Sequence, residues 1–532
     1  MKTCKRTDLL PRVLTLALVL FSSSPGFAGD AESSAPGGAG AESPNVLIIM
    51  CDQLNARVLS CYGGLVPTPN IDRIAREGVR FTDATCPTPF CSPTRATIIT
   101  GMYPHAHGIT YNVMRRDYPM VKSPPTQEGI KASDVTTERI LHAAGYATHH
   151  YGKWHLSDDD LPYYPDMYTE HGAYAEEMAE TFAAVRQKDA SQWMDWYRWA
   201  LPVEVAPPFQ QAVRAAQSRW GRPHYLDFVG KMGRLALPLE QNFDVRVADK
   251  TVERIRALGA KPFMITCSFN APHDPNVVPS PYYETFDPAT IRLPQNRSVR
   301  EPRHENSWSR QMVTGLGETG LREFLRIYYA SVKLIDDQVG RILDALEQSG
   351  RLDRTVVVFT ADHGDMAGGH GMAWKSNGSF YDEIVLVPLV VRYPPLFPPQ
   401  RSGLAVDLTD LMPTLLEIAA QPIPDQAQGQ SLVAYLTGRR DASEARPYSF
   451  GERVRANREN TRKLQPGTPA SLMVRGQGWK YVRYAGGDEC LYHLETDPGE
   501  TENLVKRPEC EPQKRRMIEA LEAWRRRTGW EE

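Results

Sequence analysis

The sequence predicts an α/β protein: a large, doubly wound, mainly parallel sheet flanked by helices, with a smaller C-terminal α/β subdomain. Three apolar runs that stop abruptly in polar residues carry this expectation. Asn45-Val46-Leu47-Ile48-Ile49-Met50 runs into Cys51-Asp52-Gln53. Phe263-Met264-Ile265-Thr266 leads to Ser268, Asn270 and His273-Asp274, and Thr355 to Thr360 leads to Asp362-His363-Gly364-Asp365. Continuous β-branched runs of this length suit strands buried on both faces. Helical patterns such as Asn70 to Glu77 and Tyr328 to Gln348 lie between them, and that alternation belongs to doubly wound domains. Such sheets bind ligands beyond the carboxyl ends of their strands, where all three polar clusters fall. The active site is expected where they converge.

Taken in order, residues 1–28 read as an export signal. Lys2, Lys5, Arg6 and Arg12 form a basic head, Val13 to Phe21 is an apolar run too short to span a bilayer, and Gly26 and Ala28 suit cleavage before Gly29. Residues 29–44 are small and polar, a flexible leader. The main domain covers 45–440. Within it, about 157–245 breaks the alternation with Tyr163, Tyr164, Tyr168, Trp193, Trp196, Tyr197, Trp199 and Trp220, an insertion over the site. Packing a small core of its own is the simpler role for these rings, and stacking on a sugar is the alternative. Residues 441–532 form the C-terminal subdomain, with strand-like Trp479 to Tyr484 and Cys490 to Leu494, a turn at Asp497-Pro498-Gly499-Glu500 and a closing helix over Gln513 to Arg527.

A 532-residue chain with 41% hydrophobic and 23% charged residues is a folded protein large enough for one big domain and a small one. Its formal net charge of -3 offers no global attraction to nucleic acid or an anionic membrane, so neither is an expected partner. After the signal, seven cysteines remain: Cys51, Cys61, Cys86, Cys91, Cys267, Cys490 and Cys510. An odd number leaves at least one unpaired within the chain. Cys490 and Cys510 flank one C-terminal segment and make the favoured disulfide. No CxxC pair or Cys/His cluster suggests zinc.

The chemistry concentrates at Cys91-Ser92-Pro93-Thr94-Arg95, followed by Ala96 to Gly101, with proline two residues and arginine four residues after the cysteine. Asp52-Gln53, Gly152-Lys153-Trp154-His155, Asn270-Ala271-Pro272-His273, Asp362-His363-Gly364 and Lys375 surround it in sequence order. Cys61-Tyr62-Gly63, Thr68-Pro69-Asn70-Ile71-Asp72 and Asp497-Pro498-Gly499-Glu500 complete the set. Over essentially the whole chain after the leader, this ordered set resembles the type I, formylglycine-dependent sulfatases of the alkaline phosphatase-like superfamily. Thr94 stands where that family more often has serine.

The resemblance implies that a formylglycine-generating enzyme oxidises Cys91 to formylglycine, whose hydrated aldehyde supplies one hydroxyl to attack sulfur and a second to expel sulfate. It implies a calcium ion held by Asp52, Gln53, Cys91, Asp362 and His363. The mainly oxygen donors favour Ca²⁺ or Mg²⁺ over zinc, and Gln53 replaces a frequent aspartate, removing one negative charge. Arg95 and Lys153 would polarise the nucleophile, His155 would serve as base for sulfate release, and Lys375 and His273 would grip the sulfate, with His273 the acid. His105 and His107 have either a substrate contact or a structural role, and His149 and His150 are scaffold neighbours of Lys153.

The expected activity is an exported sulfatase, periplasmic or secreted, acting on a sulfate monoester of a small molecule or carbohydrate, without stable membrane association. Phosphoester or phosphonate monoester hydrolysis is the alternative chemistry, and a binding protein with unconverted Cys91 is a third reading. Two basic stretches, Arg292/Arg297/Arg300/Arg303/His304 and Arg453/Arg455/Arg458/Arg462/Lys463, are either solvated surface or contacts for further anionic groups. Asn296 and Asn377 are the potential glycosylation positions, and a glycan on Asn377 would crowd Lys375.

Overall fold

Valine and isoleucine, stiff at χ1, favour extended backbone, and the runs rich in them form the centre of a seven-stranded sheet. A computed structural model describes residues 43–113, 128–157, 161–169, 171–189, 192–196, 199–220, 231–301, 307–375, 378–454, 462 and 469–530. The predicted signal, nearly all of the leader, and Asn377 lie outside them. The strands are β1 (Asn45–Asp52), β2 (Val79–Phe81), β3 (Ala147–Gly152), β4 (Phe263–Pro272), β5 (Thr355–Ala361), β6 (Leu389–Arg392) and β7 (Gln400–Ser402). Their order across the sheet is β7-β2-β6-β5-β1-β4-β3. β1 pairs in parallel with β5 and β4, and β4 with β3, whereas β6 runs against both of its neighbours. Every residue of β1 and β5 is buried, as strands covered on both faces must be.

The helices that matter for the site are α1 (Pro69–Glu77), α2 (Cys91–Thr100), α3 (Thr137–Ala143), α4 (Phe243–Ala257), α5 (Trp308–Gln348) and α6 (Glu511–Thr528). α4 shows the local logic. The Asn242 side chain accepts from the amides of Asp244 and Val245 and starts the helix, and Phe243, Val247, Thr251 and Ile255 recur at helical spacing on its buried face. The predicted Tyr328 to Gln348 helix is the later part of α5, which bends at Gly317 (φ 63°).

After residue 440 comes a four-stranded antiparallel sheet: β8 (Ser449–Val454), β9 (Ala470–Gly476), β10 (Trp479–Arg483) and β11 (Glu489–His493). Phe450, Leu472, Val474, Tyr481 and Leu491 pack with Met517, Leu521 and Trp524 of α6 and with Tyr103 of the main part. A buried ion cluster fastens this sheet to the large one. Asp382 binds Arg57 at 2.8 Å, Arg475 at 3.0 Å and Lys480 at 2.7 Å, and Lys480 also reaches Glu500 at 2.6 Å. Glu500 ends the predicted turn, its amide donating to the Asp497 carbonyl.

Three expectations meet their outcome here. Tyr163, Tyr164, Tyr168 and Trp199 are buried and pack, but in the main core with the central strands, which corrects the expected separate core of the insertion. Tyr197 and the side chains of Trp193, Trp196 and Trp220 lie outside the described residues. None of the seven described cysteines forms a disulfide, which corrects the Cys490–Cys510 pairing. The two belong to different cores: Cys490 joins the main one and accepts from Asn503 Nδ2 at 3.4 Å, while Cys510 packs under α6. Asn296 Nδ2, the atom a glycan would occupy, donates to Glu383 at 2.8 Å and to the Gly499 carbonyl at 3.0 Å.

Glu138 on α3 is buried with one carboxylate oxygen lacking a partner, and burial pushes its carboxyl from 4.5 up to about 7. Across that interval the unfolded chain ionises first, so rising pH removes stability; above it the loss is complete. Glu138→Gln should therefore unfold at a temperature close to the parent's near pH 4.5 and at a higher one at pH 8. Thermal unfolding at the two pH values tests this, and an equal midpoint at pH 8 would relieve the carboxylate of that role.

Candidate active site

Strand register builds the site. Asp52 ends β1 and Asp362 follows β5; these strands are neighbours with Cys51 opposite Ala361, so the two carboxylates emerge side by side. On the other flank, Gly152 closes β3 at φ 105°, where a Cβ would lie 1.9 Å from the Ser268 carbonyl oxygen of β4. Only glycine permits that approach, which lets the Lys153 amide donate to the same oxygen at 2.8 Å and turns the Lys153 side chain into the site. Cys91 is the first residue of α2, a helix buried along its whole length.

Asp52 is the hub. Its Oδ2 meets Lys153 Nζ at 2.7 Å and Arg95 Nη2 at 3.1 Å, while Oδ1 lies 3.6 Å from Cys91 Sγ. Arg95 Nε pairs with Asp362 Oδ2 at 2.8 Å, and Nη1 donates to the Lys153 carbonyl and to Ser268 Oγ. Burial alone would raise Asp52, but the Lys153 ammonium and the Arg95 guanidinium outweigh it and hold the carboxyl well below its usual range. Burial and then Asp52 push the Cys91 thiol up to about 12. A thiol held protonated is a poor nucleophile at neutral pH.

The histidines are neutral and oriented. His363 Nδ1 donates to the Gly364 carbonyl at 2.9 Å, which turns the lone pair of Nε2 inward, 3.3 Å from Cys91 Sγ. Burial, then Lys375, lowers His363 to about 3. His273 Nδ1 bonds the Asp274 carbonyl at 2.6 Å, leaving Nε2 to accept from Lys375 Nζ at 2.6 Å. Burial followed by Lys153 and Lys375 holds His273 well below its ordinary value. His155 is lowered in the same way, and its buried Nδ1 has no partner.

The donor set fits a hard divalent cation. Ligand atoms of Asp52, Cys91, Asp362 and His363 all lie within 4.8 Å of one another. Gln53 sits against them, its amide donating to Asp362 Oδ1 at 3.1 Å and its Nε2 to Asp365 at 2.7 Å, while its buried Oε1 lacks a partner. Two carboxylates and a spare carboxamide oxygen are the ligands such an ion prefers.

All ten residues singled out from the sequence, Asp52, Gln53, Cys91, Arg95, Lys153, His155, His273, Asp362, His363 and Lys375, come together in this cluster. Other expectations separate from it. His105 is committed to Glu452 at 2.7 Å and the Thr528 carbonyl, and His107 to Thr97 and the Ile109 amide, so both take the structural role. His150 bonds the Lys153 carbonyl at 3.2 Å and His149 bonds Asp166, as scaffold neighbours do. Sequence reasoning placed Ser268 and Asp365 in the converging polar clusters without assigning them a role, and missed Tyr328, whose hydroxyl donates to the Gln53 carbonyl at 2.7 Å. Asp365 had a signal, being the last residue of the Asp-His-Gly-Asp run; Tyr328 had none.

A family model described as Sulfatase matches residues 44–421, and one described as N-sulphoglucosamine sulphohydrolase, C-terminal, matches 368–527. The chain is 25% identical over 509 residues to the N-acetylglucosamine-6-O-sulfatase of Bacteroides thetaiotaomicron, covering 90% of this chain and 86% of the relative. It also resembles a solved structure in complex with its substrate, D-glucosamine-2-N,6-O-disulfate, at 20% identity and TM-score 0.68, over 92% of this chain and 98% of that one. The phosphonate monoester hydrolase of Agrobacterium radiobacter matches at 24% identity and TM-score 0.69, over 91% and 96% of the two chains. The chain belongs to the sulfatase family and is a sulfuric ester hydrolase, with the alkaline phosphatase-like fold of these neighbours.

Lys375 brings its half-buried ammonium to 2.6 Å from His273 Nε2, and Lys375→Ala should lower kcat/KM for sulfate release by about 10²- to 10³-fold, the usual cost of losing one charge at a developing anion. Initial rates of the parent and variant measure it; an unchanged rate would move Lys375 out of the reaction.

Proposed function

We propose that this protein is an exported, calcium-dependent sulfatase that hydrolyses a sulfate monoester on a carbohydrate through formylglycine made from Cys91. The observation that carries the nucleophile is the setting of Cys91: buried at the start of α2, 3.3 Å from His363 Nε2 and 3.6 Å from Asp52 Oδ1, with its thiol held protonated. Such a thiol needs chemical conversion before it can attack. Hydrated formylglycine supplies one hydroxyl that bonds sulfur as the alcohol leaves, and a second whose deprotonation reforms the aldehyde and expels sulfate. Asp52, Gln53, Asp362 and His363, with the group at position 91, would hold a calcium ion, which would supply positive charge for the sulfate oxygens and a lower pKa for the attacking hydroxyl.

The chain's own side chains do the rest. Arg95 and Lys153 keep Asp52 ionised and fixed. Lys375 and His273 grip the sulfate from the leaving-group side. In the free site His273 Nε2 accepts from Lys375; an incoming sulfate ester opposes the two lysine charges and raises the proton affinity of His273. A proton on Nε2 is then available to the departing alkoxide. The unpartnered Nδ1 of His155 is the acceptor for the proton lost when sulfate is released.

A carbohydrate substrate is supported by the N-acetylglucosamine-6-O-sulfatase relative and by the structural neighbour bound to a disulfated glucosamine. Export rests on the basic head and short apolar run of residues 1–28; among the described residues no helix is long and apolar enough to cross a membrane. Phosphonate hydrolysis shares the fold at nearly the same TM-score, so the fold does not separate the two chemistries. Matched sulfate and phosphate monoesters do, and faster turnover of the phosphate would reverse the reading.

Two outcomes are expected. Protein matured with a formylglycine-generating enzyme should yield a Cys91 peptide that has lost the thiol and gained an aldehyde, and Cys91→Ala should abolish sulfate release while keeping its unfolding midpoint; full activity in the variant would sink the mechanism. Chelation of divalent cations should inactivate the matured enzyme, and calcium should restore it better than zinc. The reverse order would refute the oxygen-ligand assignment.

A further inference from the structure

Of the basic residues in the two predicted stretches, Arg453 has a distinct environment. Arg297 pairs with Glu318 at 3.1 Å, and Arg462 pairs with Asp134 at 2.6 Å and donates to the His107 carbonyl. Arg292 and Arg300 are exposed, and Arg303, His304, Arg455, Arg458 and Lys463 lie outside the described residues. Arg453, near the end of β8, places its guanidinium carbon 4.0 Å from the ring centre of Phe90, the residue immediately before Cys91. It lies 6.0 Å from the ring of Tyr111, and the Nζ of Lys375 lies 6.0 Å from the same Phe90 ring. Its Nη1 is buried without a hydrogen-bond partner.

A buried guanidinium N–H with no acceptor is costly, and in most proteins a carboxylate would relieve it. Here the neighbouring carboxylate, Glu452, is spent on His105. Burial lowers Arg453 from its ordinary value, and among the described residues the groups that oppose this are the Tyr111 phenol and the Cys91 thiol, not a carboxylate. The Phe90 face holds the planar fork in place, so an anion meeting the guanidinium finds it already oriented. Tyr111, 39% exposed and 5.0 Å from Phe90 between ring centres, gives this shelf an open aromatic rim.

We propose that Arg453 receives a second anionic group of the substrate, a carboxylate or a further sulfate, while the scissile sulfate lies between Cys91 and Lys375. This rests on the sulfatase reading for the scissile group and adds the substrate class: an anionic sugar carrying at least two negative substituents. Arg453 is a specificity residue supplied by the C-terminal sheet, and Phe90 couples its position to that of the nucleophile. A purely structural Arg453, clamping Phe90, would support every substrate equally.

The test is equilibrium binding by calorimetry to the unreactive Cys91→Ala protein, which needs no turnover. The probes are D-glucosamine-2-N,6-O-disulfate against N-acetylglucosamine 6-sulfate, and a hexuronate 2-sulfate against the matching hexose 2-sulfate. At least one doubly charged ligand should bind about tenfold or more tightly than its partner, the range expected for a hydrogen bond between charged groups. The pair that shows the preference identifies sulfate or carboxylate as the second anion. Adding Arg453→Met should bring that ratio close to one, and Arg453→Lys, a point charge without the fork, should retain only part of it. A parent that binds neither doubly charged ligand, shows no preference in either pair, or keeps its preference in Arg453→Met overturns the proposal. If Arg453→Met does not fold, an unchanged ratio in Arg453→Lys does the same. Should matured parent enzyme release no sulfate from any of the four probes while the binding ratio stands, the reading of such sugars as sulfatase substrates falls and the recognition role survives.

Discussion

The rest of the site depends on one ion cluster, the contact of Asp52 with Lys153 and Arg95. A carboxylate sealed at the end of a central strand is tolerable only with counter-charge close by, and Lys153 at 2.7 Å and Arg95 at 3.1 Å provide it. Each cation is in turn fixed by another strand or helix: Lys153 by the close approach of β3 to β4, and Arg95 by α2, Asp362 and Ser268. Moving any one of them leaves a buried charge unmatched. That is why residues from β1, β3, β4, β5 and α2 meet within a few ångströms.

The same demand for neutralisation organises the join between the two sheets. Asp382 gathers Arg57, Arg475 and Lys480, so the C-terminal sheet is held by charge as well as by the apolar contacts beneath α6. This attachment brings β8 beside Phe90 and thereby adds Arg453 to the rim of a site otherwise built by the large sheet. Arg453 differs from the other cations of the site in that, among the described residues, no carboxylate pairs with it.

Backbone strain gathers at the same place. Gln53, His155 and Trp374 adopt left-handed conformations, at φ 64°, 56° and 57°, although none is glycine. Such conformations cost of order 1–3 kcal/mol each and persist where surrounding contacts over-determine them. Gln53 and His155 are site residues themselves, and Trp374 precedes Lys375. The strain lies in the turns that redirect the chain after β1 and β3 and before Lys375, so stability is given up to aim side chains.

Much of this was legible from the chain alone. The apolar runs located β1, β4 and β5, and their polar endings located Asp52, His273, Asp362 and His363, because burial on both faces and the abrupt return of polar residues are properties of adjacent positions. The Cys91 to Gly101 segment and its ordered companions marked the remaining site residues. What adjacency does not encode, the tertiary structure decided. Cys490 and Cys510 flank one segment yet belong to different cores. His105 and His107 lie next to the nucleophile's helix and are spent on scaffold contacts. Arg297, Arg462 and Arg453 read alike as members of basic stretches, but two found acceptors and the third has a buried Nη1 against an aromatic ring beside Cys91. Sequence determines which groups are charged and where a strand ends; which charges find partners is set by contacts between segments hundreds of residues apart, and only the folded arrangement fixes those.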